Sequence, residues 1–354
     1  MSKYILTFFA FLLMLPATDL TAGNPDRQGE AGAGQLLMNP WARSSGLHSM
    51  STSFVSGAEA MRVNVAGLAR ITGNTQLNLG HTRYLEGTDI GLNSIGLAQK
   101  IGKNSALGIS IMAVDFGDIP LTTVDQPNPQ EGGVTFSPTF FNMGISYAHM
   151  FENKVTVGVT VRFVSEGTDQ VTGNSVAIDA GVQYVTGDQD NFKIGIALRN
   201  VGAPMRYSGQ GLNQAAEAPN PNAQYELTNA VIAQRSELPS MLNIGMSYDF
   251  ILNPKNKVTI LGNFTANSFS QDQLGGGVEY TFNNIFILRG AYRYEFGSTA
   301  NDGVEAPIYT GLAGGFSFQV PLKKDSNRTF SIDYAYRHTK LWSGTHNIGI
   351  RFDI

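Results

Sequence analysis

The chain carries five histidines, at positions 48, 81, 149, 338 and 346, and no cysteine. A hydrolytic site needs a nucleophile within reach of a base, and that base is most often histidine. Ser343 lies between His338 and His346, the one stretch where such a pairing is close in sequence. A serine flanked by two histidines is too common to carry an assignment, so the chain reads as a non-enzyme with no catalytic residues. No EF-hand spacing, His-Glu-x-x-His motif or Cys/His ligand set is present, and neither a metal nor a cofactor is expected.

The other residues able to do chemistry are charged ones set in alternating runs. Asp179, Asp249, Glu279 and Asp333 stand against Arg199, Arg289, Arg293, Arg337 and Arg351, four acids to five bases. That balance suits an internal salt-bridge network better than the single-signed lining of an ion-selective pore. Arg289, Arg293, Asp333, Arg337 and Arg351 are expected to form that network.

These charges sit on elements with a period of two. In KVTVGVTVRF (154–163) Val155, Val157, Val159, Val161 and Phe163 share one face; in SMLNIGMSYDF (240–250) Leu242, Ile244, Met246, Tyr248 and Phe250 do the same. NFKIGIALRN (191–200), IFILRGAYRYEF (285–296) and TFSIDYAYRH (329–338) repeat the pattern. With weaker segments at 75–86, 91–102, 105–119, 138–151, 175–187, 257–270, 272–283, 307–320 and 344–354, the total is about fourteen, an even number of the length a tilted bilayer-crossing strand requires. The fold expected is all-β, a transmembrane antiparallel barrel over residues 74–354. Tyr292, Tyr294, Phe296, Tyr334 and Tyr336 cluster toward strand ends as an interfacial aromatic girdle would.

Loop lengths agree. If the first strand runs outward, the inner turns are 102–105, 151–154, 187–191, 253–257, 282–284 and 323–328, all short, while the outer connections include 120–137, 165–174, 201–239 and 297–306. Short inner turns and long outer loops mark an outer-membrane barrel, whereas a soluble sandwich need not sort them. The connection 201–239 is rich in Ala, Glu and Gln, which favours a short surface helix.

The remaining sequence fits export. Lys3 precedes an apolar run from Tyr4 to Leu15 and then small residues, the build of a secretory signal peptide over 1–22, with cleavage expected after Ala22. A mean hydropathy of −0.08 with 42% hydrophobic residues matches a barrel, in which lipid-facing apolar residues are diluted by polar lumen-facing ones. A net charge of −4 argues against nucleic acid as a partner. Residues 23–73 alternate poorly, with a possible short helix near Ala58–Val63. They are expected to fold into the lumen as a plug, a periplasmic tail being the plainer alternative. Leu36, Leu37, Met38, Phe54 and Met61 are the apolar residues there that would line a cavity or pack against the wall.

Several stretches resemble the PorV/PorQ family of outer-membrane proteins, which is related to the long-chain fatty-acid transporter barrels. The run PWARSSGLHSMSTSFVSGAEAMRVNVAGLA is similar to that family's small-residue opening and its Asn-Pro-Ala-Gly-Leu-Ala element, here Asn64, Ala66, Gly67, Leu68 and Ala69 with Val65 in place of proline. IALRNVGAPMRY (196–207), LPSMLNIGMSYDF (238–250), ILRGAYRYEF (287–296) and IDYAYRHTKLWSGTHNIGIRF (332–352) are further matches. The resemblance implies a fourteen-stranded barrel with an N-terminal segment inside it, located in the cell outer membrane. It also implies that Asn347, Gly349, Phe352 and Ile354 form the terminal signal read by the barrel-assembly machinery. Two roles follow: a component of type IX secretion that binds a translocon or secreted cargo, or a channel passing hydrophobic or small solutes.

Overall fold

The computed structural model describes residues 27–124, 127–128, 133–217, 226–297, 307–322 and 328–354; the signal-peptide stretch, residues 298–306 and all but the last residue of the expected inner turn 323–328 lie outside them. Fourteen antiparallel strands follow one another round a closed barrel: β1 (Thr75–Tyr84), β2 (Ile90–Ile101), β3 (Ser105–Asp115), β4 (Thr139–Phe151), β5 (Val155–Gly167), β6 (Thr172–Thr186) and β7 (Phe192–Gly202). Then come β8 (Met241–Asn253), β9 (Asn256–Asn267), β10 (Gln273–Phe282), β11 (Phe286–Glu295), β12 (Tyr309–Pro321), β13 (Thr329–Thr339) and β14 (Thr345–Asp353). Each of the fourteen alternating segments read from the sequence has become one of these strands.

Closure falls between the last strand and the first. β14 pairs with β1 from Gln76↔Asp353 to Arg83↔His346, so the barrel has no free edge at the seam. The Ile354 carbonyl accepts the amides of Asn74 and Thr75 at 2.8 and 3.0 Å, and the Ile354 amide donates to the Thr75 carbonyl at 2.8 Å.

The alternation decides which way each side chain points. On β5, Val157, Val159, Val161 and Phe163 face outward, 40–51% exposed, while Thr156, Thr160, Arg162, Val164 and Glu166 are buried inside. Tyr292 and Tyr294 lie on the outward face near the end of β11. Arginine or aspartate would be costly against lipid, so the polar half of the pattern must turn to the lumen.

Connections between strands are short at one end, where the barrel begins at Thr75, and the long ones all lie at the other. At the short-turn end Lys154 donates to Asp190 at 2.6 Å, which holds that carboxyl below its ordinary range. At the opposite, outer end the structure corrects two expectations. The connection read as 165–174 shrinks to 168–171, because Ser165↔Asn174, Glu166↔Gly173 and Gly167↔Thr172 continue the β5–β6 ladder. The helix favoured in 201–239 is absent among the described residues. That excursion instead pairs Arg206–Ser208 with β6, makes one turn of 3₁₀ helix at Gln210–Leu212 and builds a hairpin from Asn213–Glu217 and Glu226–Ala230. Backbone pairing across the hairpin overrides a helix propensity worth only tenths of a kcal/mol per residue. A second small hairpin, Ile119–Pro120 with Thr135–Phe136, stands on the β3–β4 connection.

Two irregularities interrupt the wall. The β12–β13 register shifts between Tyr309 and Ala313, where Gly311 takes a φ of +93° that a side chain would resist. The β6–β7 register shifts between Ile178 and Ala180, opposite Asn200 at φ +60°.

Residues 34–71 lie inside the barrel as short helical turns: Gly34–Leu37, Ala42–Ser45, Gly57–Glu59, Ala60–Val63 and Val65–Arg70. None exceeds two turns, so their order comes from packing against the wall and not from helix propensity.

Candidate functional site

The segment inside the barrel meets the wall where the wall has no side chains. Gly108, Gly158, Gly181, Gly195 and Gly245 stand on lumen-facing positions of β3, β5, β6, β7 and β8. A methyl group built on Gly181 would lie 2.0 Å from the Asn64 Oδ1, one on Gly195 2.2 Å from the Thr52 carbonyl, and one on Gly158 2.7 Å from the Val65 carbonyl. Backbone therefore packs directly on backbone.

Asn64 is the keystone of this contact. Its Nδ2 donates to the carbonyls of Thr52 (2.9 Å) and Val182 (3.0 Å), and its Oδ1 accepts the Ala66 amide at 3.2 Å, capping the turn Val65–Arg70. Gly67 follows because a Cβ there would strike the Val55 carbonyl at 2.0 Å. Leu68 is fully buried among Ala58, Met61, Ile71, Ala98, Ala106 and Ala148. Asn64, Ala66, Gly67 and Leu68 thus form one contact surface between the inner segment and the wall. Of the apolar candidates in this segment, Leu36 and Met61 are buried, Met38 and Phe54 are partly covered, and Leu37 is 51% exposed.

Polar groups form two clusters, one joining the inner segment to the wall and one within the wall that faces the segment. In the outer one, Arg162 on β5 pairs with Asp179 on β6 at 2.9 Å and donates to the Met61 carbonyl at 2.7 Å. Arg62, in the inner segment, donates to the carbonyls of Gln35 (2.6 Å) and Met38 (2.7 Å), and Arg199 reaches that of Leu36 at 3.5 Å. Asp179 also accepts the Asn200 amide at 2.7 Å, across the β6–β7 irregularity. Carbonyls at the ends of short helical turns have no partners of their own, and guanidinium groups supply them.

The second cluster gathers residues singled out from the sequence. Arg289 donates to Glu279 at 2.6 Å and to Ser317 at 2.7 Å, and Ser317 donates in turn to Asp333. Arg351 donates to Gln319 at 2.9 Å and Ser331 at 3.1 Å, and lies 3.3 Å from Asp353. Arg337 stands apart, its guanidinium 4.6 Å from the centre of the Tyr309 ring. Arg293 is half-buried further out on β11. Facing the cluster, Glu59 accepts the Ser44 amide at 3.0 Å, and a cavity of about 10 Å³ lies between Arg43, Ser44, Glu59 and Glu279, room for one water.

Asn347 and Gly349 point into the lumen, and Phe352 and Ile354 point out. Asn347 donates to Thr82 Oγ1 at 2.5 Å across the seam, while the Phe352 ring packs 5.1 Å from that of Phe330. His338 shares a hydrogen with Thr310 and His346 with the Tyr334 hydroxyl, each through Nδ1. Both imidazoles thus belong to an outward aromatic patch that includes Tyr336.

Sequence reading passed over Arg62, Arg162 and Glu59. Arg162 was visible as a charge within the lumen-facing half of KVTVGVTVRF, but its partners are 17 and 101 residues away. The glycines were equally visible as a small residue recurring on inward positions of successive strands.

At the outer mouth the inner segment is joined to the long excursion. Ala33 and Leu36 pack with Met205, Leu238, Val164 and Ala177, all buried. The Gly32 amide donates to the Glu237 carbonyl at 2.9 Å, and Met205 and Ser236 exchange two backbone hydrogen bonds of 2.8 Å. Arg27 lies 3.3 Å from Glu237 and 4.3 Å from the centre of the Phe269 ring.

Comparison with known proteins places this architecture. Among solved structures it is similar to the CymD monoaromatic hydrocarbon channel (TM-score 0.54, 15% identity, 89% of this chain and 97% of that one). It is also similar to the Ralstonia pickettii toluene transporter TbuX (0.53, 14%, 89% and 98%) and to a Pseudomonas aeruginosa FadL homologue (0.53, 12%, 88% and 98%). At these identities the likeness is one of fold. No curated protein matches the sequence. The family model for the type IX secretion system protein PorV matches residues 24–271, well over half of the sequence, and the chain belongs to that family of outer-membrane barrels.

Proposed function

We propose that this protein is a plugged, non-catalytic outer-membrane barrel that holds a protein partner of type IX secretion, a translocon or a secreted cargo, on its outer excursions. The observation that carries the reading is the filled lumen. Residues 34–71 occupy it with guanidinium groups on their carbonyls, and the cavity beside Arg43 and Glu59 has room for one water, not for a hydrophobic solute. The barrel then serves as a rigid pedestal and its long connections as the working surface. Exposed Ile232 (77%) and Val134 (70%) on those connections suit contact with protein. In this reading residues 23–73 are the plug, and the charges around Arg289, Arg293, Asp333, Arg337 and Arg351 position it. Asn347, Gly349, Phe352 and Ile354 serve assembly, and the outward apolar band meets outer-membrane lipid.

Fold likeness to hydrocarbon channels favours a second reading, passive uptake of hydrophobic or small solutes through a plug that shifts. Affinity purification from native outer membranes in mild detergent, with a tag in the excursion 201–239, separates the two. Recovery of a large translocon or of secreted proteins sharing a C-terminal domain supports the first. A barrel that emerges alone with lipid or fatty acid refutes it in favour of the second.

A further inference from the structure

The inner segment has a direction. Its first described residues lie at the outer mouth, with Arg27 against Glu237 and Phe269 and Gly32 against the excursion backbone. Gln35 then donates to the Ser165 carbonyl near the outer end of β5, and its Oε1 accepts Asn142 near the outer end of β4. Asn64 bonds Val182 in the inner half of β6, Arg70 donates to the Lys154 carbonyl in an inner turn, and Gly73 packs against Ile354 at the inner rim. A segment merely tucked up from the periplasm would enter and leave at the same end, whereas this one crosses from one end to the other.

We propose that the stretch Arg27–Gly32 is a cell-surface element: from it the chain threads inward through the barrel to Gly73, and the stretch itself joins the 203–240 excursion in one extracellular platform. The proposal rests on the outward orientation of the long connections taken above. Three features build the joint. Arg27 is paired with Glu30 and Glu237 while stacked on Phe269; the Gly32 amide bonds the excursion; and Met205 and Leu238 of the excursion cover Leu36 at the head of the inner segment. A methyl built on Gly32 would come within 2.9 Å of the Ser236 Cβ, so the two backbones touch along this line. A protein that grips the excursion therefore also meets the start of the plug.

The absence of cysteine makes the test clean. Exposed Gln28, Ala215 on the excursion hairpin and Lys103 in an inner turn are each replaced by cysteine in the full-length protein, and intact cells are treated with a membrane-impermeant maleimide. Gln28→Cys and Ala215→Cys are expected to label to the same extent, and Lys103→Cys only after the outer membrane is permeabilised. Labelling of Ala215→Cys but not Gln28→Cys on intact cells overturns the proposal while leaving the orientation standing. If Ala215→Cys is silent and Lys103→Cys reacts, the orientation itself fails and takes the proposal with it.

Discussion

Replacing Gly181 by alanine tests whether the inner segment is held by direct backbone contact. The added methyl would overlap the Asn64 Oδ1 at 2.0 Å, so the Asn64 side chain must leave its site. Three hydrogen bonds go with it, two donated to Thr52 and Val182 and one accepted from Ala66. At about 1 kcal/mol net for each, the expected loss is about 3 kcal/mol, and because 1.4 kcal/mol is tenfold, the population with a loosened segment rises about a hundredfold. Trp41 reports on this directly: it is 3% exposed and packed on Gly80 and Gly96, and the only other tryptophan, Trp342, can be replaced by phenylalanine. Urea titration of the detergent-solubilised protein, followed by Trp41 fluorescence, should show a lower midpoint in Gly181→Ala. Asn64→Ala alone should cost about the same, since it removes the same three bonds. The double variant should cost no more than either single one, because the methyl then occupies space the asparagine has vacated, giving a coupling on the order of 2–3 kcal/mol. Additive losses, or a native midpoint for Gly181→Ala, would refute the packing argument.

Other perturbations reach different parts of the molecule. Asp179→Asn leaves the Arg162 guanidinium buried without its carboxylate, and by the usual cost of breaking a buried pair it should destabilise by about 3–5 kcal/mol in the same titration. Ile348→Arg places a charge on the outward face of β14 and should cost about 2–4 kcal/mol when the barrel is folded into bilayers and its urea midpoint compared with Ile348→Ala. Phe352→Ala removes the outward aromatic contact with Phe330 and should slow assembly in cells, read as unfolded monomer by heat-modified gel mobility, while the purified variant keeps a native Trp41 signal.

The barrel was legible in the sequence because a strand with lipid on one side and a polar lumen on the other must alternate along its length, as Val155 to Phe163 do. The inner segment was legible only as a break in that rhythm. Its grip on the wall depends on pairs such as Arg162 with Met61 and Asn64 with Val182, which are more than 100 residues apart and which no local pattern encodes. The glycines at 158, 181 and 195 carried the information in another form, as missing side chains, and their meaning depends on knowing what approaches them. The outer excursion was misread because its Ala, Glu and Gln content speaks to local preference, whereas hairpin pairing between Asn213–Glu217 and Glu226–Ala230 decided the outcome.

The bonds from Asn74 and Thr75 to Ile354 have a mechanical meaning. The inner segment ends where the barrel is sewn shut, so the ring and the thread through it share one knot. A pull applied from outside at Arg27 would first strip Gly32 from the excursion, then the arginine contacts, and would finally bear on the seam at Asn74. Load is thus carried through a series of weak clasps before it reaches the pairing that keeps the cylinder closed.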